Sequence, residues 1–251
     1  MSGNKRRIVI IGATSSIAEH CARLWVGDAA LKLTLVGRDA QKTQAVAADL
    51  LVRNPQTVCD VRQADFENPA AIARLADEIF AEGPVDIVLI AHGSLPEQGQ
   101  CEQDLATCAE ALKINGISPL LFAEAFAGRM EKANHGTLAI IGSVAGDRGR
   151  KSNYVYGAAK GMVTRYAQGL QHRLARSAVK IVLIKPGPTD TPMTAQFKQK
   201  GLRMASVEEV ARLIVAGIAR GRGTVYAPGK WRLIMAVIQH LPRFVFNRMD
   251  I

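Results

Sequence analysis

The sequence predicts an α/β fold, a doubly wound parallel sheet covered by helices on both faces. Three observations point there. Short runs of Ile, Val and Leu recur without alternation, as strands buried on both faces require. Helical patterns stand between those runs, the order that builds a parallel sheet. A glycine closes the first run and a helix opens just after it, at the carboxyl end of the strand where such sheets take their ligands.

The elements follow in order. Arg7-Ile8-Val9-Ile10-Ile11 is the first strand, ended at Gly12, and a helix starts near Ser16. The second strand is Leu31 to Val36, closed by Gly37, with a helix from Asp39 to about Leu51. Gln56 to Cys59 reads as a short third strand. Pro69 to Phe80 reads as a helix, with proline in the first turn, where its missing N–H is no loss. Val85 to Ile90 is a fourth strand. Two longer helices, about 104–131 and 154–177, bracket a fifth strand, Thr137 to Ile141. Val179 to Ile184 is a sixth, broken by Lys185-Pro186-Gly187-Pro188. A helix over Val207 to Ala219 and the run Thr224-Val225-Tyr226 complete the domain, residues 1–228. Residues 229–251 read as a C-terminal extension.

The 251 residues suffice for one large core and leave little for another domain. The four cysteines (Cys21, Cys59, Cys101, Cys108) lack zinc-like spacing, so no metal site is expected and they read as reduced thiols in a cytoplasmic setting. No signal-peptide core follows Met1, and no run approaches the ~20 apolar residues of a membrane span. The net charge of +10 fits nucleic acid, an anionic surface, a phosphorylated ligand or simply a solvated basic surface. Nucleic acid is disfavoured, since binding motifs and stacking aromatics are lacking.

A dinucleotide explains the first turn. In Gly12-Ala13-Thr14-Ser15-Ser16-Ile17-Ala18, Gly12 permits the tight turn, and N–H groups at the helix start suit a pyrophosphate. Gly12, Thr14, Ser15, Ser16 and Ile17 are the candidate contacts, Thr14, Ser15 and Ser16 through their hydroxyls as well. After the second strand the chain reads Val36-Gly37-Arg38-Asp39. An acid at that strand end selects the NAD ribose, whereas an arginine accommodates the NADP phosphate. Gly37 stands where the acid would be and Arg38 follows, which favours NADPH over NADH; the alternative has Asp39 capping a helix and Arg38 as solvated surface. Asp65, with Phe66, is placed to reach an adenine. Ala91 and Gly93 flank His92 at the end of the fourth strand, and Gly93 lets the backbone approach a ribose.

Tyr156 and Lys160 are four apart, on one face of a helix. An ammonium beside a phenol favours the phenolate and moves it toward neutral pH. Ser143 lies upstream in Ile140-Ile141-Gly142-Ser143, and Asn115 further back.

Together, the Gly12 turn, Ala91-His92-Gly93, Asn115, Ser143, Tyr156 with Lys160, and Pro186-Gly187-Pro188-Thr189-Asp190-Thr191 resemble the short-chain dehydrogenase/reductase family over nearly the whole chain. The resemblance implies a Rossmann-like, NAD(P)-dependent oxidoreductase. It implies that Tyr156 donates a proton to a substrate carbonyl and that Ser143 polarises the same oxygen. Lys160 would lower the Tyr156 pKa and hold the nicotinamide ribose, and Asn115 would hold a water leading to solvent. Pro186, Gly187, Thr189 and Thr191 would hold the nicotinamide end, Thr191 at the carboxamide. The family's second and third turn glycines are Ser16 and Ala18 here, and His92 stands where a small residue is common.

Residues 229–251 mix Trp231, Phe244 and Phe246 with Lys and Arg. That pattern suits a peripheral, membrane-associated segment on the inner face, or a last helix that closes the core or a subunit contact. With Tyr154-Val155-Tyr156-Gly157 it looks like one branch of the family, the keto-reductase component of decaprenylphosphoryl-ribose 2-epimerase. That branch implies a lipid-linked sugar substrate, a polyprenyl-phosphate 2-keto-pentose, and a flavin-dependent oxidase partner. A homodimer or homotetramer is expected by the same resemblance. The rival readings are a soluble carbonyl or 3-oxoacyl reductase and a non-catalytic dinucleotide-binding partner protein.

Overall fold

In the computed structural model, which describes residues 5–195 and 203–249, seven strands run parallel in the order β3-β2-β1-β4-β5-β6-β7. They are β1 (Arg7–Ile11), β2 (Lys32–Gly37), β3 (Val58–Gln63), β4 (Ile87–Ile90), β5 (Thr137–Ile141), β6 (Lys180–Pro186) and β7 (Thr224–Ala227). The helices are α1 (Ser16–Asp28), α2 (Ala40–Arg53), α3 (Pro69–Ala81), α4 (Gln98–Gln103), α5 (Leu105–Leu112), α6 (Ser118–Ala133), α7 (Tyr154–Arg173), α8 (Val207–Ala219), α9 (Lys230–His240) and α10 (Arg243–Phe246). Residues 250–251, the tip of the expected extension, lie outside the described residues.

The inner strands are mostly apolar because each face has its own helices. Ile8, Ile10, Leu33, Leu35, Ile87 and Leu89 pack against α1, α2 and α8 through residues such as Trp25, Leu50 and Ile214. Val9, Ile11, Val88, Ile90, Leu138 and Ile140 pack against α3, α6 and α7 through Ile79, Phe122, Phe126 and Val163. The order of strands reverses at β1, where Ile10 stands in register with Leu35 on one side and Leu89 on the other. A crevice opens at the carboxyl ends of β1 and β4, the place such sheets bind ligands.

The structure differs from the sequence reading in three instructive places. The third strand runs past Cys59 to Gln63. It is an edge strand, so Asp60 and Arg62 pair with each other at 2.7 Å, and Arg62 reaches Glu82 at 3.0 Å. The helix expected over 104–131 is α5, a π turn at Lys113–Ile117, and α6. The last of the long helices stops at Arg173.

The expectation of a membrane-associated, apolar C-terminal segment is corrected. Among the described residues no helix is long and apolar enough to cross a membrane. α9 has 11 residues and is tied to the body of the domain. Its Met235 is fully buried. Arg148 donates to Ile238 O and, at 2.8 Å, to Leu241 O, which satisfies carbonyls at the end of α9. The same guanidinium stacks 3.8 Å from the centroid of Phe246. Trp231 lies against Gly187, where a Cβ would fall 2.0 Å from the indole nitrogen. The aromatic and basic residues that suggested a lipid surface are therefore in part spent on internal packing.

Arg148 is held next to a buried ion pair. Lys185, on β6, pairs with Asp147, the two side chains being 6% and 1% exposed, and Tyr226 on β7 donates to the same carboxylate at 3.0 Å. Removing one partner of such a pair leaves the other charge uncompensated. Asp147→Asn should lower the unfolding free energy by about 3–5 kcal/mol in urea titrations. A loss below about 1 kcal/mol, the range of exposed pairs, would show that the pair carries no such constraint.

Candidate active site

The first turn is dictated by a close approach. Gly12 has φ +83°, and a Cβ there would fall 2.7 Å from the backbone nitrogen and Cβ of His92. Gly12 N and Ala13 N both donate to Val36 O, at 2.9 and 3.1 Å, which ties the turn to the end of β2. Ser15 is the N-cap of α1, and its side chain makes no cap bond. The N–H groups of Ser16 and Ile17 open the helix, a donor set that fits a pyrophosphate. Thr14 is exposed at the turn, while Ile17 packs on the core beneath it.

The end of β2 has no room for an acid. A Cβ on Gly37 would fall 2.1 Å from Thr43 Oγ1, and that hydroxyl is held by Asp39 O at 2.7 Å. Asp39 caps α2, accepting from Lys42 N at 3.0 Å. Arg38 makes no ion pair among the described residues, and with Gln63, Asp65 and Phe66 it lines a cleft of about 470 Å³. Within it, Asp65 accepts from Glu67 N at 2.9 Å. The Phe66 ring turns inward onto His92 and Phe122, so only its backbone faces a ligand.

His92 resolves as a packed residue. Its Nε2 lies 2.9 Å from Ser118 Oγ, which itself donates to Phe66 O at 2.6 Å. Ser118 has spent its only proton, so Nε2 is the donor and Nδ1 carries the lone pair. Burial, aided by the nearby Lys160 and Arg38 charges, lowers the His92 pKa to about 3, so the ring is neutral.

Four side chains meet where β4, β5 and α7 converge. The π turn carries Asn115 inward, fully buried. Its Oδ1 accepts from Ser94 N at 2.9 Å, and its Nδ2 donates to Ala111 O at 3.0 Å. Gly93 lies between Asn115 and Lys160: a Cβ there would be 2.9 Å from Asn115 Oδ1 and 3.6 Å from Lys160 Nζ. Lys160 is 2% exposed and donates to Ile141 O at 3.1 Å. Its Nζ lies 5.8 Å from the centre of the Tyr156 ring. Ser143 Oγ accepts from Ala145 N at 3.1 Å, which caps the 3₁₀ turn Val144–Gly146. Burial raises the Tyr156 pKa above its ordinary 10, against a hydrogen bond from Ser143 that favours the phenolate. Ser143, not Lys160, is thus the group that opposes burial here.

The remaining predicted residues sit beyond β6. Gly187 N donates to Ala227 O at 3.0 Å, and Thr189 Oγ1 to Gly187 O at 2.9 Å. Pro186 ends β6. Thr191 lies 3.3 Å, hydroxyl to hydroxyl, from Thr194 and caps a 3₁₀ turn there. Ala91 is in the core, its N–H bound to Ile11 O at 2.8 Å. Sequence reasoning passed over Ser94 and Gln98, and it read Trp231 only as part of the C-terminal extension, since the fold alone brings it to Gly187.

Comparison with known proteins agrees with this geometry. The family model described as short chain dehydrogenase matches residues 6–201. An uncharacterized oxidoreductase of Streptomyces coelicolor is 28% identical over 99% of this chain and 97% of its own length. Another from Mycobacterium tuberculosis is 30% identical over 96% of each chain. In fold, a short-chain dehydrogenase from Sphingobium yanoikuyae, solved in complex with NADPH, is similar with a TM-score of 0.81 at 23% identity, covering 98% of this chain and 96% of that one.

Burial holds the Lys160 pKa at about 8, against an ordinary 10.5. Between those values the unfolded chain binds more protons than the folded one, so this group's contribution to stability rises with pH. From pH 8 to 10.5 the wild type should gain stability relative to Lys160→Met, by up to about 3 kcal/mol in paired urea titrations. Equal changes in the two proteins would refute the assignment.

Proposed function

The chain belongs to the short-chain dehydrogenase family and is an NAD(P)-dependent oxidoreductase; on that premise we propose that it reduces a carbonyl to an alcohol, with NADPH favoured over NADH. The observation that carries the reading is the meeting of Ser143, Tyr156 and Lys160 at one mouth, with Asn115 fixed behind them.

The dinucleotide, when bound, supplies the hydride. The side chains do the rest. Tyr156 donates its proton to the carbonyl oxygen, and its raised pKa keeps that proton in place until the oxygen gains charge. Ser143 holds the same oxygen and stabilises the charge as it develops. Lys160, fixed on Ile141 O, presents its remaining N–H donors to the ribose hydroxyls and the phenol. Asn115 anchors the Ser94 backbone and holds a water through which Tyr156 is reprotonated. Gly12 and Gly93 have no side chain to press on His92 and Asn115, so the turn and the floor of the site stay in place. Thr14, Ser15, Ser16 and the N–H of Ile17 take the pyrophosphate, Asp65 and Phe66 N the adenine, and Pro186, Gly187, Thr189 and Thr191 the nicotinamide end.

The preference for NADPH rests on Arg38, which has no ion pair among the described residues, and on Gly37, where Thr43 leaves no space for a carboxylate. The finer reading names the substrate as the 2-keto group of a polyprenyl-phosphate pentose, formed by a flavin-dependent oxidase partner. It is supported by the resemblance around Tyr154-Val155-Tyr156-Gly157 and by the net charge of +10. In this reading the active form is a homodimer or homotetramer.

NADPH consumption should be measured with the keto-pentose lipid and with soluble ketones. Tyr156→Phe should lower kcat/KM by about 10²–10⁴ with either. Full retention of activity would remove Tyr156 as the acid, and turnover confined to soluble ketones would remove the lipid-sugar reading. Dissociation constants should favour NADPH, and Arg38→Leu should cut that preference tenfold or more; tighter NADH binding by the wild type would end the claim.

A further inference from the structure

Three buried polar side-chain atoms among the described residues have no hydrogen-bond partner: His92 Nδ1, Arg150 Nε and Asn153 Oδ1. The last two, a donor and an acceptor, lie on one loop, and that loop joins Ser143 to Tyr156. Buried polar atoms are nearly always paired, so two orphans on the loop between Ser143 and Tyr156 call for something that pairs with them.

The loop is firmly seated. Its base is the 3₁₀ turn Val144–Gly146, packed on α7 so closely that a Cβ on Gly146 would fall 2.5 Å from the Lys160 backbone. A Cβ on Gly157 would likewise fall 3.0 Å from Ala145 O. Asn153 N donates to Arg150 O at 3.1 Å, and Gly157 N to Asn153 O at 2.8 Å. The backbone between the two side chains is thus pinned to the helix that carries the proton donor.

Asn153 is the N-cap of α7, and an asparagine there ordinarily accepts from the helix's first N–H groups. Its side chain makes no such bond. Gln98 Oε1 takes that part from α4, accepting from Val155 N at 3.1 Å. Asn153 Oδ1 is left buried and unused, three residues before Tyr156 in the sequence. Arg150 differs from its neighbour Arg148, whose guanidinium is bound by the α9 carbonyls. Burial lowers the Arg150 pKa, and no carboxylate opposes the shift.

We propose that Arg150 and Asn153 select the substrate: a carbonyl compound that carries an oxyanion, phosphate or carboxylate, beside a hydroxyl group. The guanidinium takes the oxyanion, and the Asn153 amide oxygen accepts from the hydroxyl. This rests on the reading of the cleft as a carbonyl-reducing site and adds to it the class of molecule admitted. Arg150 and Asn153 are then specificity-determining residues, and the loop Val144–Asn153 sets both recognition and the start of α7.

The test uses the full chain loaded with NADP⁺, so that the phosphate site at Arg38 is filled. Inorganic phosphate and acetate are titrated by calorimetry into wild type, Arg150→Gln and Arg150→Lys. We expect saturable binding of at least one anion, a dissociation constant at least tenfold weaker in Arg150→Gln, and partial recovery in Arg150→Lys. The lysine variant also decides the matter if the glutamine variant does not fold. Binding of phosphate alone assigns a phosphate ester, and of acetate alone a carboxylate. Glycerol phosphate should bind wild type at least threefold more tightly than phosphate, and Asn153→Ala should lose that advantage. Equal anion affinity in all Arg150 forms, or no saturable binding, overturns the proposal; no advantage for glycerol phosphate overturns the part assigned to Asn153. Ketone reduction is followed in parallel. Arg150-dependent anion binding without any turnover keeps this inference and removes the reductase reading, and turnover with Arg150-independent binding does the reverse.

Discussion

Lys160 has to reach from α7 to the carbonyl of Ile141 at the end of β5, and the surroundings of the cleft are arranged around that line. Gly93 has no side chain because one would press on Asn115 Oδ1 and come within 3.6 Å of the ammonium. Gly146 has none because the backbone of Lys160 is in the way. The π turn exists to the same end. One residue more per turn swings Asn115 inward, where its carboxamide anchors Ser94 and closes the floor beneath Gly93. π turns of this kind are commonest where function overrides regular helix geometry.

Polar groups in the interior divide into two kinds. Most are matched at once by a partner from another element. Lys185 has Asp147, Arg7 has carbonyls of the α3 end such as Ile79 O at 3.0 Å, and Arg148 has the end of α9. These links join parts of the chain that are distant in sequence, and they specify the packing of the loops over the sheet. The second kind is left unmatched, and among the described residues it comprises His92 Nδ1, Arg150 Nε and Asn153 Oδ1. Folding settles the first kind; of the second, His92 is held by ring packing on Phe66 and Phe122, and the other two lie on the loop between Ser143 and Tyr156.

What could be read in the sequence follows from burial. Ile8 to Ile11 and Ile87 to Ile90 are covered on both faces, so their composition alone announced strands. β3 could not be read to its end because an edge strand carries Asp60 and Arg62 without penalty. The break at Asn115 left no trace, since Lys-Ile-Asn-Gly-Ile is compatible with a continuous helix; in the fold the turn lies so close to α7 that a Cβ on Gly116 would fall 3.4 Å from the Ala159 backbone. Residue types and order revealed Asn115, Ser143, Tyr156 and Lys160, but not which interactions each would spend locally. Thr191 is used in part on Thr194, and Asp65 on Glu67 N. Asn153 was hidden for the opposite reason. An asparagine ahead of a helix reads as its cap, and nothing in the sequence says that Gln98 has taken the task. The C-terminal residues misled because greasy and basic side chains suit a lipid surface as well as they suit Arg148 and Gly187.

The contact between Trp231 and Gly187 also ties the tail to the end of β6. The indole occupies the space of a side chain at position 187, so any larger residue there demands a smaller one at 231. Position 187 therefore cannot enlarge while Trp231 stays, although the two lie on either side of α8 and β7. Removing the indole would uncover the backbone at the end of β6, so the last helices and the strand end make one packing unit.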